Sequence, residues 1–346
     1  MQAFGGETMD MYPLLMTPHF RHGEETPWGG SMLRDAFLKD APDDRTGESL
    51  EVSALSGRES IVRNGAHAGK TFPAMIKLWG EALTGKYEGE FPLLLKLLDA
   101  REMLSVQVHP GDEYAGANEG GKLGKTEAWV VLSCDEEAKL VYGLDTKGED
   151  LKAIVDRGEL ESALNWIKVR PGDVFYVPNG MVHALGGGIQ CYEIQQSSDV
   201  TYRFWDWGRV GKDGNPRELH TAKALDVSDA ESKLGKLEGT TVLCKGGSRT
   251  YYISNKYFEL CRLNVSGKMP LEAGRMLFLT PLSECTLTWD GGELDLGMLD
   301  TVVIPAELPG VTVSGNTKIL MSSLPDREKL RAELDYRAEN VAGLMD

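Results

Sequence analysis

Apolar runs in this 346-residue chain are short, because forty glycines and fifteen prolines are spread along it and interrupt them. That punctuation is how an all-β sandwich or barrel reads. The runs at 104–109, 128–132, 173–177 and 301–304 are strand-length and rich in Val, Ile, Leu and aromatics. Helical spacing occurs at 72–83, at 150–164 (Leu151, Ile154, Val155, Leu160, Leu164) and in the charged tail at 326–344, where Leu330, Leu334 and Val341 lie on one face. The expected fold is therefore mainly β, with short helical insertions and a C-terminal helix that docks on its own barrel or on a second subunit.

The chain is long enough for two domains. It turns polar between Val227 and Gly239, which sets an N-terminal domain at 1–228, a second domain at 240–324 and a helical tail at 325–346. One theme occurs twice: Arg170-Pro-Gly-Asp-Val-Phe-Tyr-Val-Pro, and Leu294-Asp-Leu-Gly-Met-Leu-Asp-Thr-Val-Val-Ile-Pro. In each, a turn with Gly and Asp leads into a β run that ends at proline, as two related jelly-roll barrels in tandem would require. His183 follows the first proline by five residues, and no histidine follows the second. Only the first barrel can use this arrangement to hold a metal.

A formal charge of −16 argues against nucleic acid or an anionic membrane as a partner. An anionic substrate would have to meet a local cluster of Lys and Arg. The five cysteines are scattered, with no C-x-x-C, which argues against a disulfide framework and a thiolate zinc site. With no basic leader and no run near the ~18 apolar residues of a membrane span, the expected location is cytoplasmic.

The polar residues most in need of explanation lie in Ser105-Val-Gln-Val-His-Pro. Gln107 and His109 are two apart on a strand and share a face, while Val106 and Val108 take the other. Either that face is solvated and the valines pack inward, or the amide and imidazole look into the barrel and need partners there. Glu127 opens the next apolar run, and His183 sits in a glycine-rich loop able to turn tightly. Taken singly, each suits a surface position. Together, two imidazoles, a carboxylate and an amide oxygen make an N/O shell suited to zinc, with other first-row metals possible.

These residues carry a family resemblance. Phe91-Pro-Leu-Leu-Leu-Lys-Leu-Leu-Asp-Ala, Leu104-Ser-Val-Gln-Val-His-Pro-Gly-Asp-Glu-Tyr-Ala, Gly124-Lys-Thr-Glu-Ala-Trp, Pro171-Gly-Asp-Val-Phe-Tyr-Val-Pro and the stretch from Glu193 to Arg209 occur in the order found in type I mannose-6-phosphate isomerases of the short bacterial form. The resemblance runs from Tyr12-Pro-Leu and Trp28-Gly-Gly to about Leu324. It implies a tandem cupin and one Zn2+ per chain on Gln107, His109, Glu127 and His183. Leu50 and Ala128 depart from the family pattern, where tryptophan and cysteine are common, and bear on packing more than on chemistry.

The implied reaction interconverts mannose 6-phosphate and fructose 6-phosphate through a cis-enediol. It needs a Lewis acid, a proton shuttle, and cations for the phosphate and the developing charge. Lys96 follows four apolar residues and is hard to bury without an anionic partner, unless it snorkels to the barrel mouth. Lys125 shares a strand face with Glu127, beside the metal shell or in a surface ion pair. By the resemblance, Arg203 stabilises charge at the enediolate or phosphate, a role suited to a permanent, bidentate cation. By the same resemblance, Asp199 and Glu193 match acidic residues that line the same pocket. Glu193, Asp199, Lys125 and a metal-bound water all remain candidates for the proton shuttle. The competing functions are a non-catalytic sugar-binding or regulatory metal-containing cupin, and an iron cupin of oxygen chemistry, whose shell would be richer in histidine than a chain with six. The expected partner is a small sugar phosphate, with the chain a monomer or homodimer.

Overall fold

The computed structural model describes residues 10–87, 89–211, 214–232 and 234–334. The fold is mainly β, and the backbone divides into two compact units that are not contiguous in sequence. One comprises 18–58 and 92–238; the other, 1–17, 59–91 and 239–346. The polar stretch that suggests a boundary between 228 and 240 does lead to a crossing, at Gly239, but the chain also crosses near residues 17, 58 and 91. The unbroken first domain expected at 1–228 is thus interrupted. The cause is long-range pairing: Leu14–Thr17 pairs with Val302–Ile304, with Leu14 opposite Val303, and also with Ile61–Val62.

In the 18–58/92–238 unit, six antiparallel strands form one sheet in the order Val174–Val177, Glu127–Cys134, Ile189–Gln196, Leu93–Ala100, Thr46–Val52, His19–His22. A second sheet runs Tyr202–Trp205, Val106–Val108, His183–Ala184, Lys139–Leu144, Leu164–Lys168. Trp129, Val131 and Cys191 from the first sheet and Leu140 and Tyr142 from the second join one buried cluster, the core of a jelly-roll barrel. Val106, Val108, Tyr202 and Phe204 belong to another. The alternation therefore holds on both strands, with the apolar face in the core and Gln107 and Arg203 on the opposite face.

In the other unit, ten antiparallel strands cover a core that includes Leu263, Leu279, Leu287, Val302, Val313 and Ile319. The repeated turn is physically the same in both units. The Asp173 carboxylate accepts from Arg170 N–H at 2.8 Å, and Asp300 accepts from Gly297 N–H at 2.9 Å, each ahead of its β run.

Helical spacing overextends in places. The helix expected at 72–83 is two, Phe72–Trp79 and Glu81–Thr84, separated at Gly80 with φ +51°. The one expected at 150–164 is Leu151–Asp156 followed by a 3-10 turn at Leu160–Ala163, while Leu164 opens a strand. The tail forms the helix Arg327–Leu334, and Leu330 and Leu334 are buried in the core of their own unit. Val341 and the rest of the expected tail helix lie outside the described residues. All five cysteines are free thiols. Among the described residues, no helix is long and apolar enough to cross a membrane.

Candidate metal centre and active-site cleft

His109 follows the Val106–Val108 strand, Glu127 begins Glu127–Cys134 and His183 begins His183–Ala184. Strand pairing brings them together: His183 lies opposite Gln107, and Glu127 lies opposite Gln195 and Val177. All three are buried, and one donor atom from each falls within 4.8 Å of the others, the only such grouping of His, Cys, Asp and Glu among the described residues.

The imidazoles are fixed from behind. His109 Nδ1 donates to Val200 O and His183 Nδ1 to Met181 O, both at 2.9 Å. Since a carbonyl only accepts, Nδ1 carries the proton and each Nε2 lone pair points at Glu127, 3.6 Å from Oε2 for His109 and 3.3 Å from Oε1 for His183. Burial, and next the charge of Lys125, pushes the His109 imidazole well below its usual range; burial takes His183 down to about 4. Both rings are thus neutral ligands at pH 7. Neither Glu127 oxygen accepts a hydrogen bond of regular geometry, although both are buried. A buried carboxylate with no regular hydrogen bond, facing two neutral imidazole lone pairs, fits a divalent cation.

Gln107 is half-buried beside this group. Its Nε2 lies 3.4 Å from His183 Nε2, and its Oε1 accepts from Ser105 Oγ at 3.1 Å. The amide nitrogen faces the group, and a half-turn of the amide would present the oxygen.

Lys125 is buried, in ion-pair contact with Glu127 and 3.2 Å from His109 Nε2, so it is not a surface salt bridge. Burial works against its charge, but Glu127, Glu193 and Glu48 hold its pKa above the ordinary lysine value. Lys96 does not snorkel. It is buried with Nζ 3.2 Å from Glu193 Oε2 and 3.7 Å from Glu48 Oε2. Glu193 also accepts from Trp129 Nε1 at 3.0 Å, and despite burial Lys96 and Lys125 hold it down to about 2. Gln107, Lys125, Glu127, Lys96, Glu193 and Arg203 all line one cleft.

The family model for the phosphomannose isomerase type I catalytic domain matches residues 21–129. Mannose-6-phosphate isomerase ManA of Bacillus subtilis is 40% identical over 280 residues, 80% of this chain and 87% of that one. The chain belongs to the type I phosphomannose isomerase family. A mannose-6-phosphate isomerase of Streptococcus mutans is 36% identical over 301 residues, 85% of this chain and 94% of that one. The crystal structure of mannose 6-phosphate isomerase from Bacillus subtilis has TM-score 0.83 and 36% identity, covering 90% of this chain and 99% of that one. A phosphomannose isomerase from Salmonella typhimurium, at 16% identity and TM-score 0.73, shows the fold alone.

In this family member, Asp199 also reaches the cleft, but at its rim: its side chain is 55% exposed and paired with Lys122 at 2.7 Å. Arg203 donates to Glu218 O at 3.1 Å and, among the described residues, touches no carboxylate. Sequence reasoning missed Arg21, Glu48, Arg58 and Arg217, which line the cleft too. Arg21 and Glu48 are opposed on neighbouring strands, 3.1 Å apart, and Glu48 stays below the usual carboxylate range because Lys96 and Arg21 outweigh its burial. Polar residues spaced two apart in Thr46-Gly-Glu-Ser-Leu-Glu-Val were the available signal.

Proposed function

We propose that this chain interconverts mannose 6-phosphate and fructose 6-phosphate through a cis-enediol, with zinc as its metal and the cytoplasm as its setting. The observation that carries this reading is that the His109–Glu127–His183 donor set reaches, through Glu127, the cleft that Lys125, Lys96 and Arg203 line. The 36–40% identity to mannose-6-phosphate isomerases supports the substrate.

His109, Glu127 and His183, with Gln107 after its amide turns, would hold the ion. When bound, zinc supplies a Lewis acid for the sugar oxygens. Lys125, whose ammonium reaches both Glu127 and His109, is placed to donate to a sugar oxygen as the ring opens. Arg203 supplies positive charge for the phosphate or for the enediol oxygens. Glu193 and Glu48 orient Lys96 inside the cleft. Glu193, already committed to Lys96 and Trp129, serves this support role rather than proton transfer. A non-catalytic cupin with a structural metal would need no cations in the cleft.

The test is to incubate zinc-loaded protein with mannose 6-phosphate and follow fructose 6-phosphate, with chelated protein and His109→Ala as controls. The loaded protein should turn over and both controls should not. Absence of turnover in the loaded protein would overturn the reading.

A further inference from the structure

Positive charge in the cleft is mostly neutralised where it stands. Arg58 donates to Glu25 at 2.9 Å, Arg21 to Glu48 at 3.1 Å, Lys96 sits between Glu48 and Glu193, and Lys125 is paired with Glu127. A sugar phosphate entering beside these residues would meet a carboxylate next to every cation. For an ester carrying about −1.5 to −2 charges, that is a poor seat.

One part of the lining differs. Asp206 is buried, and its carboxylate is shared by two arginines. Arg217 grips it with Nε on Oδ2 at 2.7 Å and Nη2 on Oδ1 at 2.5 Å, and Arg209 contacts Oδ1 as well. Arg209 is anchored further by donating to Met103 O at 2.6 Å. Among the described residues, the Arg203 side chain has only a main-chain partner, and its buried Nε has none. The neighbouring Glu218 carboxylate is turned to solvent, 83% exposed. Among the described residues, Arg217 and Arg209 thus share one buried carboxylate while Arg203 contacts none, which leaves this part of the site with more arginines than carboxylates, and Arg203 and Arg217 line the cleft. Burial, and next the like charge of Arg217, lowers the pKa of Arg203 despite the opposing charges of Asp206 and Glu218.

We propose that Arg217, held by Asp206 and acting with Arg203, is the seat of the substrate's phosphomonoester group, so that the sugar lies toward Lys125 and the metal ligands. This rests on the isomerase reading for the identity of the ester, but the seat itself is an anion site that inorganic phosphate can probe. Planar guanidinium groups bind phosphate bidentately and stay charged, which suits them to this task in a chain whose overall charge opposes anions. Arg217 is the contact residue. Asp206 is a positioning residue, since it fixes the plane of the Arg217 guanidinium without facing the ester. Lys96, a candidate from sequence for the cationic work beside Lys125 and Arg203, is committed to two carboxylates.

The experiment compares wild type, Arg217→Gln and Arg217→Lys as zinc-loaded full chains. It measures KM and kcat for mannose 6-phosphate, inhibition by inorganic phosphate, and phosphate binding by calorimetry, with thermal melting as the check on folding. Loss of a charged hydrogen-bonding pair should raise KM for Arg217→Gln at least about ten-fold, with a smaller change in kcat. Phosphate binding should weaken by a similar factor, and Arg217→Lys, which keeps the charge but not the fork, should fall between. Phosphate affinity and KM within two-fold of wild type in Arg217→Gln would overturn the proposal. If that variant does not fold, wild-type phosphate affinity in Arg217→Lys would overturn it. If the wild type turns over no mannose 6-phosphate, the isomerase reading fails, and calorimetry still decides the seat: binding lost in Arg217→Gln upholds it, and equal binding removes it.

Discussion

The ammonium of Lys96 and the carboxylate of Glu193 face each other from directly opposed positions on neighbouring antiparallel strands, 3.2 Å apart and buried. Removing one member of such a pair strands the other in a low-dielectric setting, at a cost of about 3 kcal/mol or more. Lys96→Met should therefore lower stability by about that amount in urea unfolding, and adding Glu193→Gln should recover more than half of it. A loss under about 1 kcal/mol in the single variant would show that water or Lys125 relieves the orphaned Glu193 charge.

Asp206 gives the chain a defined acid sensitivity. Burial favours its neutral form, but hydrogen bonds from Arg217 and Arg209 prevail and its pKa falls below the ordinary carboxylate value. A carboxylate depressed by folding contributes stability that is complete above its unfolded pKa, near 3.9, and lost as pH falls through the lower folded value. Asp206→Asn should be less stable than wild type at pH 7, and the gap should close only below about pH 4. Urea unfolding of both proteins across pH 3–7 checks this, and a gap independent of pH would contradict it.

The residues that could be read from sequence are those whose signal is local. Alternation assigned Val106 and Val108 to one face and Gln107 and His109 to the other, and the valines are in the core while the polar pair meets His183 and Glu127. The Gly-Asp turn repeats as a hydrogen-bonded unit at Asp173 and Asp300. What escaped depends on partners far apart in the chain. Nothing near Leu14 announces Val303 as its neighbour, so the interleaving of the two units was hidden. Arg21 gains its role only through Glu48 on the adjoining strand, and Arg217 only through Asp206 across a loop. The helices Met32–Asp35, Asp112–Asn118 and Thr221–Val227 are too short to establish a period of 3.6 residues.

The donor set predicts one metal per chain. Equilibrium dialysis against zinc should give a stoichiometry near one, and chelation should lower the melting temperature, since a ligand bound only by the native state stabilises it. His183→Ala should weaken zinc by more than the ~10–100-fold typical of losing an outer-shell partner, because it removes a donor itself. Retained wild-type affinity in that variant would mean that the ion sits elsewhere.

Gly124 sets the distance between the two halves of the candidate metal site. The segment carrying Lys125 and Glu127 passes so close to the one following His109 that a Cβ at Gly124 would lie 2.5 Å from Asp112 N and Gly111 C and 2.7 Å from Pro110 O. These are backbone atoms, and they are tied in place: Gly124 N–H donates to Asp112 Oδ1 at 2.9 Å and Lys125 N–H to Pro110 O at 3.0 Å. Gly124→Ala must push the two segments apart. It should cost about 1–3 kcal/mol of stability, as overpacking does, and reduce zinc affinity by moving Glu127 away from His109. Gly116, in the nearby helix Asp112–Asn118, is the control, because a Cβ there meets nothing within 4 Å. Gly116→Ala should leave zinc affinity unchanged and stability equal or slightly higher. Urea unfolding and zinc titration of both variants decide the matter, and a Gly124→Ala protein as stable and as tightly metallated as Gly116→Ala would show that this contact does not hold the site together.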